Sequence, residues 1–186
     1  MPDQLPIVLL GNEILKKKTR PVKKVDTALI GLVEDMFYTM YNASGQGLAA
    51  PQINKDIALA VIDVSHHKQY KNMKPLILIN PVIEKEFGER VIMEEGCLSI
   101  PKLAVDVERN EKILLKYHDM NMNELTLEAD DILARCIQHE VDHLNGKLIT
   151  DVLTPEMKKE KKDEIKKIKK GEIEIDYPFI VNKKKK

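Results

Sequence analysis

The twelve residues Arg135 to Gly146, RCIQHEVDHLNG, hold two histidines, two acids and a cysteine within an otherwise apolar pattern. His139 and His143 are four apart, so on a helix both imidazoles leave the same face about 6 Å apart along the axis. One cation can sit between them. Glu140 follows the first histidine, and in an H-E-x-x-H arrangement such a carboxylate reaches water held by the cation rather than the cation itself, where it can take and return a proton. The plainer reading is a polar stripe on a helix, since histidine pairs at this spacing also arise by chance. Asp142 reads either as a solvated acid or as an orienting partner for a ligand imidazole.

Two histidines do not complete a catalytic metal site, which usually has three protein ligands and an open position. Cys136 shares their helix face but lies seven residues from His143, about 10.5 Å along the axis, too far to share a cation whose bonds are about 2 Å long. Cys97 is remote in sequence, follows a flexible glycine in EEGCLSIP, and sits between two strand candidates from which it could approach the helix. Without such a role a buried cysteine is simply a small hydrophobe.

The helix that carries the histidines is expected from Asp130 to about Asn145, with an acid at its start and Gly146 as a stop. A second helix is expected after Asp26, an N-cap for TALIGLVEDMFYTMYNA, where Leu29, Leu32, Val33, Met36 and Met40 fall on one face. SGQGLAAPQ reads as a loop whose glycines let backbone approach something closely. Strand-like runs cover 57–64, 75–87 (two short strands about Asn80-Pro81), 103–109, 112–119 and 123–129. Their short separations favour antiparallel pairing. Residues 65–74 read as a polar surface loop. Thr154-Pro155 is a cap and first-turn pair for a Lys-rich helix ending at Gly171. Its apolar residues Met157, Ile165 and Ile168 are too sparse for a deep core face, and a loose tail with frayed terminal lysines is expected after it.

The chain's 186 residues suit one compact domain, and its 30 basic and 30 acidic side chains exclude a general polyanion binder. From Thr154 onward 12 lysines face 7 acids, so the basic surplus is C-terminal. Two cysteines are too few for a disulfide framework and fit a reducing cytoplasm. The opening MPDQLPIVLLGNE, with Asp3 and Pro6 and no basic front, does not read as a signal peptide. No apolar run approaches the roughly 18 to 20 residues that span a bilayer.

Three stretches in order, GQGLAAPQ (45–52), EGCLS (95–99) and QHEVDH (138–143), together resemble the bacterial peptide deformylases, which remove the formyl group from new chains. The H-E-x-x-H alone is shared with unrelated metalloproteases. All three at compatible spacing are specific, and the resemblance runs to about Leu153. It implies an α+β fold of antiparallel strands packed around a central helix carrying the H-E-x-x-H motif, with a further N-terminal helix and a C-terminal helix. Residues 1–153 would form the catalytic unit and 154–186 a basic helix and tail.

Carried onto matching positions, the resemblance implies that Cys97, His139 and His143 hold one divalent metal, natively ferrous iron, with zinc or nickel able to replace it. A thiolate and two imidazoles suit iron or zinc and poorly suit calcium or magnesium. Glu140 would be the acid/base, and the Gln52 side-chain amide and the Leu98 backbone N–H would stabilise charge on the carbonyl oxygen. Without the resemblance Gln52 reads as a loop side chain capping nearby backbone. Ile132 and Cys136 would line a methionine pocket, although Cys136 also fits plain core packing. Gln46, Gly47 and Leu48 would run beside a bound peptide. Gln46 departs from the family, which usually has an aliphatic residue there. HDMNMNELTL lacks the family's frequent hairpin glycine, so a looser turn is expected. Glu95 and Arg109 read either as an ion pair supporting the Cys97 loop or as solvated charges. The implied substrates are N-formyl-Met nascent chains, the implied compartment is the cytoplasm, and the basic C-terminal helix suggests ribosome docking. The alternatives are a small H-E-x-x-H protease and a ribosome-associated binding module with a structural metal.

Overall fold

The computed structural model describes residues 1–182, and the final four lysines, expected to fray, lie outside the described residues. In chain order the main elements are β1 (Ile7–Val8), α1 (Thr27–Asn42), β2 (Gly47–Ala49), β3 (Leu59–Ile62), β4 (Leu76–Glu95), β5 (Val105–His118), β6 (Glu124–Asp130), α2 (Asp131–Leu144), α3 (Pro155–Glu160), α4 (Lys162–Lys170) and β7 (Phe179–Ile180). Strands β2 to β6 form one antiparallel sheet in sequence order, as short connections require, and β1 and β7 form a separate parallel pair.

Alternation along the strands sends apolar side chains to both faces of this sheet. Ala49, Ala60, Ile62, Leu78, Ile113 and Leu115 pack against Leu133, Ala134, Ile137 and Val141 of α2. Leu48, Leu59, Val61 and Ile79 face Leu29, Val33, Met36 and Met40 of α1. The expected helix faces are thus the buried ones, and the expected cap forms: the Asp26 carboxylate accepts from the Leu29 N–H at 3.1 Å.

Several expectations need correction. The stretch read as a loop, SGQGLAAPQ, contains β2 and a 3-10 turn, Ala50–Ile53. Asn80-Pro81 does not separate two strands. β4 runs through it with a register shift, because Asn80 takes a positive φ and its side chain bonds both the N–H and the C=O of Val22, each at 2.8 Å. The last of three such shifts in this strand falls at Gly88, with φ +77°. The two runs at 103–109 and 112–119 are one strand, β5. The turn lacking glycine is not loose. Met122 takes the left-handed conformation, and the Asp119 carboxylate accepts from the N–H groups of Asn121 and Asn123 at 2.8 and 2.9 Å.

The C-terminal region also differs. Thr154 caps α3 as expected and Gly171 ends α4, but the helix is broken at Lys161. Ile168 is buried to 2% exposure in a core shared with Leu9, Leu10, Ile100, Val105 and Leu153, with Met157 and Ile165 packed against it. The tail is not loose: β7 pairs with β1, and the N–H groups of Ile7 and Leu9 donate to Pro178 and Ile180 at 2.8 Å. Three apolar residues suffice because α3 and α4 close over a core that β1, β5 and the Cys97 turn already build. Ile168→Ala is expected to lower the unfolding free energy by about 2–5 kcal/mol, read from denaturant titration. An unchanged midpoint would show that α4 adds nothing to the core.

Candidate metal centre and active site

Helix α2 carries His139 and Glu140 into the wall of a cavity of about 460 Å³, and His143 is buried beside them. Asp130 occupies its N-cap position, although the Asp130 side chain makes no cap bond. Cys97 arrives from the opposite side, in the turn that follows β4. Its sulfur lies 3.2 Å from His143 Nε2, and one donor atom from each of Cys97, His139 and His143 falls within 4.8 Å of the others. The two imidazoles, 4.9 Å apart between ring centres, meet edge to face. Cys136 is not among these donors and borders the cavity instead, where burial beside Glu140 raises its thiol well above the usual range.

Behind the cluster lies an ion network around Glu95, whose side chain is only 5% exposed. Its carboxylate accepts from Arg109 Nε at 2.6 Å and Nη2 at 3.0 Å, from Arg135 Nη1 at 3.0 Å and from His139 Nδ1 at 3.0 Å. The expected Glu95–Arg109 pair therefore exists and does more than hold a loop. It fixes the His139 ring, leaving Nε2 as the nitrogen that faces the cluster. Asp142 takes neither of its expected roles. It bonds Arg109 Nη1 at 2.7 Å and so steadies the cation that steadies Glu95.

The electrostatics suit a cation. Burial pushes the Glu95 carboxyl up, but hydrogen bonds from His139 and Arg109 outweigh it and lower the pKa to about 2 from an ordinary 4.5. Burial also opposes charge on His139, yet the Cys97 sulfur and Glu95 raise it well above its usual range. His143 goes the other way, driven well down by burial and then by His139 and Arg109, so its imidazole is neutral. One imidazole thus sits in a field that favours positive charge and the next offers a lone pair. A thiol and two imidazoles whose donor atoms converge fit a divalent metal, and this set could hold one.

Glu140 stands beside the cluster, 3% exposed, with Oε2 unpaired. Burial raises its carboxyl to about 7. A Cβ on Gly47 would lie 2.8 Å from Glu140 Cδ, so the close approach expected of this glycine is to Glu140 itself. Gln52 makes the backbone cap of its plainer reading. Its Oε1 accepts from the Ala49 N–H at 2.8 Å, which turns Nε2 toward Cys97 Sγ at 3.7 Å and Ser99 Oγ at 3.3 Å.

Gln46, Gly47, Leu98, Ile132 and Cys136 border the cavity with these groups. Leu48 does not, because its side chain is fully buried against α1. Gln46 also contacts His67 Nε2 at 3.2 Å, through which the polar loop touches the cavity rim. Sequence reasoning missed Arg135, Ser99, Ile175 and Tyr177. The last two carry a signal, the strict alternation of EIEIDYPF, with Ile173, Ile175, Tyr177 and Phe179 partly buried between exposed neighbours.

Arg109→Ala leaves a buried carboxylate short of a partner and is expected to cost of order 3 kcal/mol, with weaker metal retention. A group held below its ordinary pKa stabilises the fold fully above that value and loses the contribution as pH falls through the folded value. Glu95 therefore supplies stability above about 4.5 that disappears toward about 2. In the variant its pKa rises, so acid unfolding begins at higher pH. Unchanged melting, metal content and acid midpoint would remove Arg109 from the support.

The sequence profile of the family described as polypeptide deformylase matches residues 4–159. A peptide deformylase from Chlorobium phaeovibrioides is 44% identical over 175 residues, covering 94% of this chain and 92% of its own. The crystal structure of a peptide deformylase from Synechococcus elongatus in complex with actinonin aligns with TM-score 0.80 at 40% identity, over 88% of this chain and 90% of that one. One from Legionella pneumophila aligns with TM-score 0.82 at 37% identity, over 91% and 98%. With the profile match spanning most of its length and relatives this similar at nearly full coverage, the chain belongs to the peptide deformylase family.

Proposed function

We propose that the chain is a metal-dependent hydrolase that removes the formyl group from formyl-methionyl nascent polypeptides in the cytoplasm, releasing formate. The observation that carries this reading is the convergence of Cys97, His139 and His143, of which Cys97 and His139 line the same cavity as Glu140 and Gln52. A divalent ion bound by those three residues supplies Lewis acidity, which acidifies water and polarises a carbonyl. We assign ferrous iron as the native ion, with zinc or nickel able to replace it, in keeping with the sulfur and imidazole donors.

The chain's own residues supply the rest. Glu140 takes a proton from the attacking water and returns it to the departing amine, and a buried carboxyl raised to about 7 is suited to both tasks near neutral pH. Gln52 Nε2 and the Leu98 N–H donate to the formyl oxygen as it gains charge. Because the Gln52 oxygen is already engaged by Ala49, no rotation is needed at the moment of reaction. Ile132 and Cys136 receive the methionine side chain, where a polarizable thiol suits a thioether. β2 is the edge strand of its sheet, so Gln46, Gly47 and Leu48 offer unpaired backbone to an extended peptide, Leu48 through its backbone alone.

Purified without oxygen, the protein is expected to carry about one divalent ion per chain and to release formate from formyl-Met peptides but not to cleave their acetylated counterparts. Gln52→Leu is expected to lower turnover about 100- to 1,000-fold with the ion retained. Peptide-bond cleavage without formate would point to a protease instead.

In this reading residues 1–153 carry the catalytic groups and 154–186 carry a docking surface. Lys162, Lys166 and Lys170 are exposed at four-residue intervals along α4 and suit ribosomal RNA phosphates. Replacing all three with alanine is expected to abolish low-salt co-sedimentation with ribosomes while formate release from free peptides persists. Undiminished co-sedimentation would refute the docking role.

A further inference from the structure

The turn that presents Cys97 is held through three successive backbone carbonyls, each tied to a different part of the chain. Cys97 C=O accepts from the Ile100 N–H at 2.9 Å, within the turn itself. Ser99 C=O accepts from the Leu10 N–H at 2.9 Å, just past β1. Leu98 C=O accepts from the Tyr177 hydroxyl at 2.8 Å, just before β7. The first bond is local, but the other two come from opposite ends of the chain. Both ends belong to one scaffold, because β1 and β7 pair directly.

Tyr177 is well placed for this. Pro178 follows it and favours an extended conformation at position 177. Pro178 C=O is engaged by the Ile7 N–H at 2.8 Å, so the tyrosine backbone is anchored one residue from its side chain. Ile175 and Tyr177 also border the same cavity as Gln52, Glu140, Ile132 and Cys136. Burial raises the phenol well above its ordinary pKa, so the hydroxyl keeps the proton it donates.

We infer that Tyr177 is a positioning residue for hydrolysis, its hydroxyl fixing Leu98 from the carbonyl side while its ring and Ile175 close the outer wall of the substrate cavity. The inference rests on the reading in which the Leu98 N–H serves the formyl oxygen. A backbone donor stabilises developing charge only if its direction is set beforehand. The turn follows an exposed glycine, Gly96, and would otherwise be tied only at Cys97 and Ser99. The Leu98 N–H shares its peptide plane with the Cys97 carbonyl held by Ile100, and anchoring the Leu98 carbonyl fixes the next plane, so that the hydroxyl completes the restraint of the residue from both sides. The anchor comes from a segment beyond residue 159, where the family profile match ends.

The test uses the full, metal-loaded chain and two variants, Tyr177→Phe, which removes only the hydroxyl, and Tyr177→Ala, which also removes the wall. Amide hydrogen exchange across residues 97–100 is measured alongside steady-state formate release. For Tyr177→Phe, exchange in that segment should quicken, kcat should fall about tenfold and KM and metal content should hold. For Tyr177→Ala, KM for formyl-Met peptides should rise as well. If Tyr177→Phe leaves exchange and kcat at their native values, or if kcat falls only in step with melting temperature, the positioning role is wrong. Should even the native chain release no formate, the proposed function fails, while the exchange measurement still decides whether Tyr177 holds the turn.

Discussion

A single buried carboxylate organises this molecule. Glu95 ends the long strand β4 and receives hydrogen bonds from Arg109 on β5 and from Arg135 and His139 on α2. An ionised group so deeply buried is tolerated only when nearly every lone pair is engaged. The consequence is geometric. Arg135 also donates to the carbonyls of Val107 and Val91, at 2.7 and 2.6 Å, so one guanidinium fixes the rotation of α2 against both strands of the pair. Since β4 runs directly into the Cys97 turn, the same network that aims His139 sets where the sulfur begins. Cys97 and the histidines, over forty residues apart, are brought to one point by a shared anion.

That network also explains why two imidazoles one turn apart behave oppositely. His139 is held by Glu95 and drawn toward positive charge, whereas burial and its positive neighbours His139, Arg109 and Lys16 keep His143 neutral although the Cys97 sulfur is 3.2 Å from its Nε2. The lone pair that His143 keeps and the Cys97 sulfur beside it belong to one group of donor atoms with His139, and that group could hold a metal ion.

How far all this could be read from residues alone depended on the range of the interactions involved. The histidines, Glu140, the Asp26 cap and the Gly146 stop were legible because helical spacing is local. Cys97 could be offered as the missing third ligand from its glycine-led loop, whereas Gln52 and Leu98 came only through the likeness of three short stretches. Arg135 was invisible: in a helical pattern it looks solvated, and only the tertiary fold reveals that a buried glutamate and two strand carbonyls await it. Asn80-Pro81 misled because a strand-breaking pair is compensated by Val22, 58 positions away in sequence. The tail misled for a different reason. Its alternation was present, but a two-residue strand beside a lysine-rich helix has little local weight, and its partner is the opposite end of the chain.

Gly47 brings the edge strand against Glu140. With no side chain there, β2 closes directly on the Glu140 carboxylate and shields it from solvent on that side. The same closeness contributes to the burial that raises the Glu140 carboxyl to about 7, since a buried carboxylate without full hydrogen bonding favours its neutral form. A larger residue would push strand and carboxylate apart and admit water, so the surroundings of Glu140 and the position of the edge strand are not independent features.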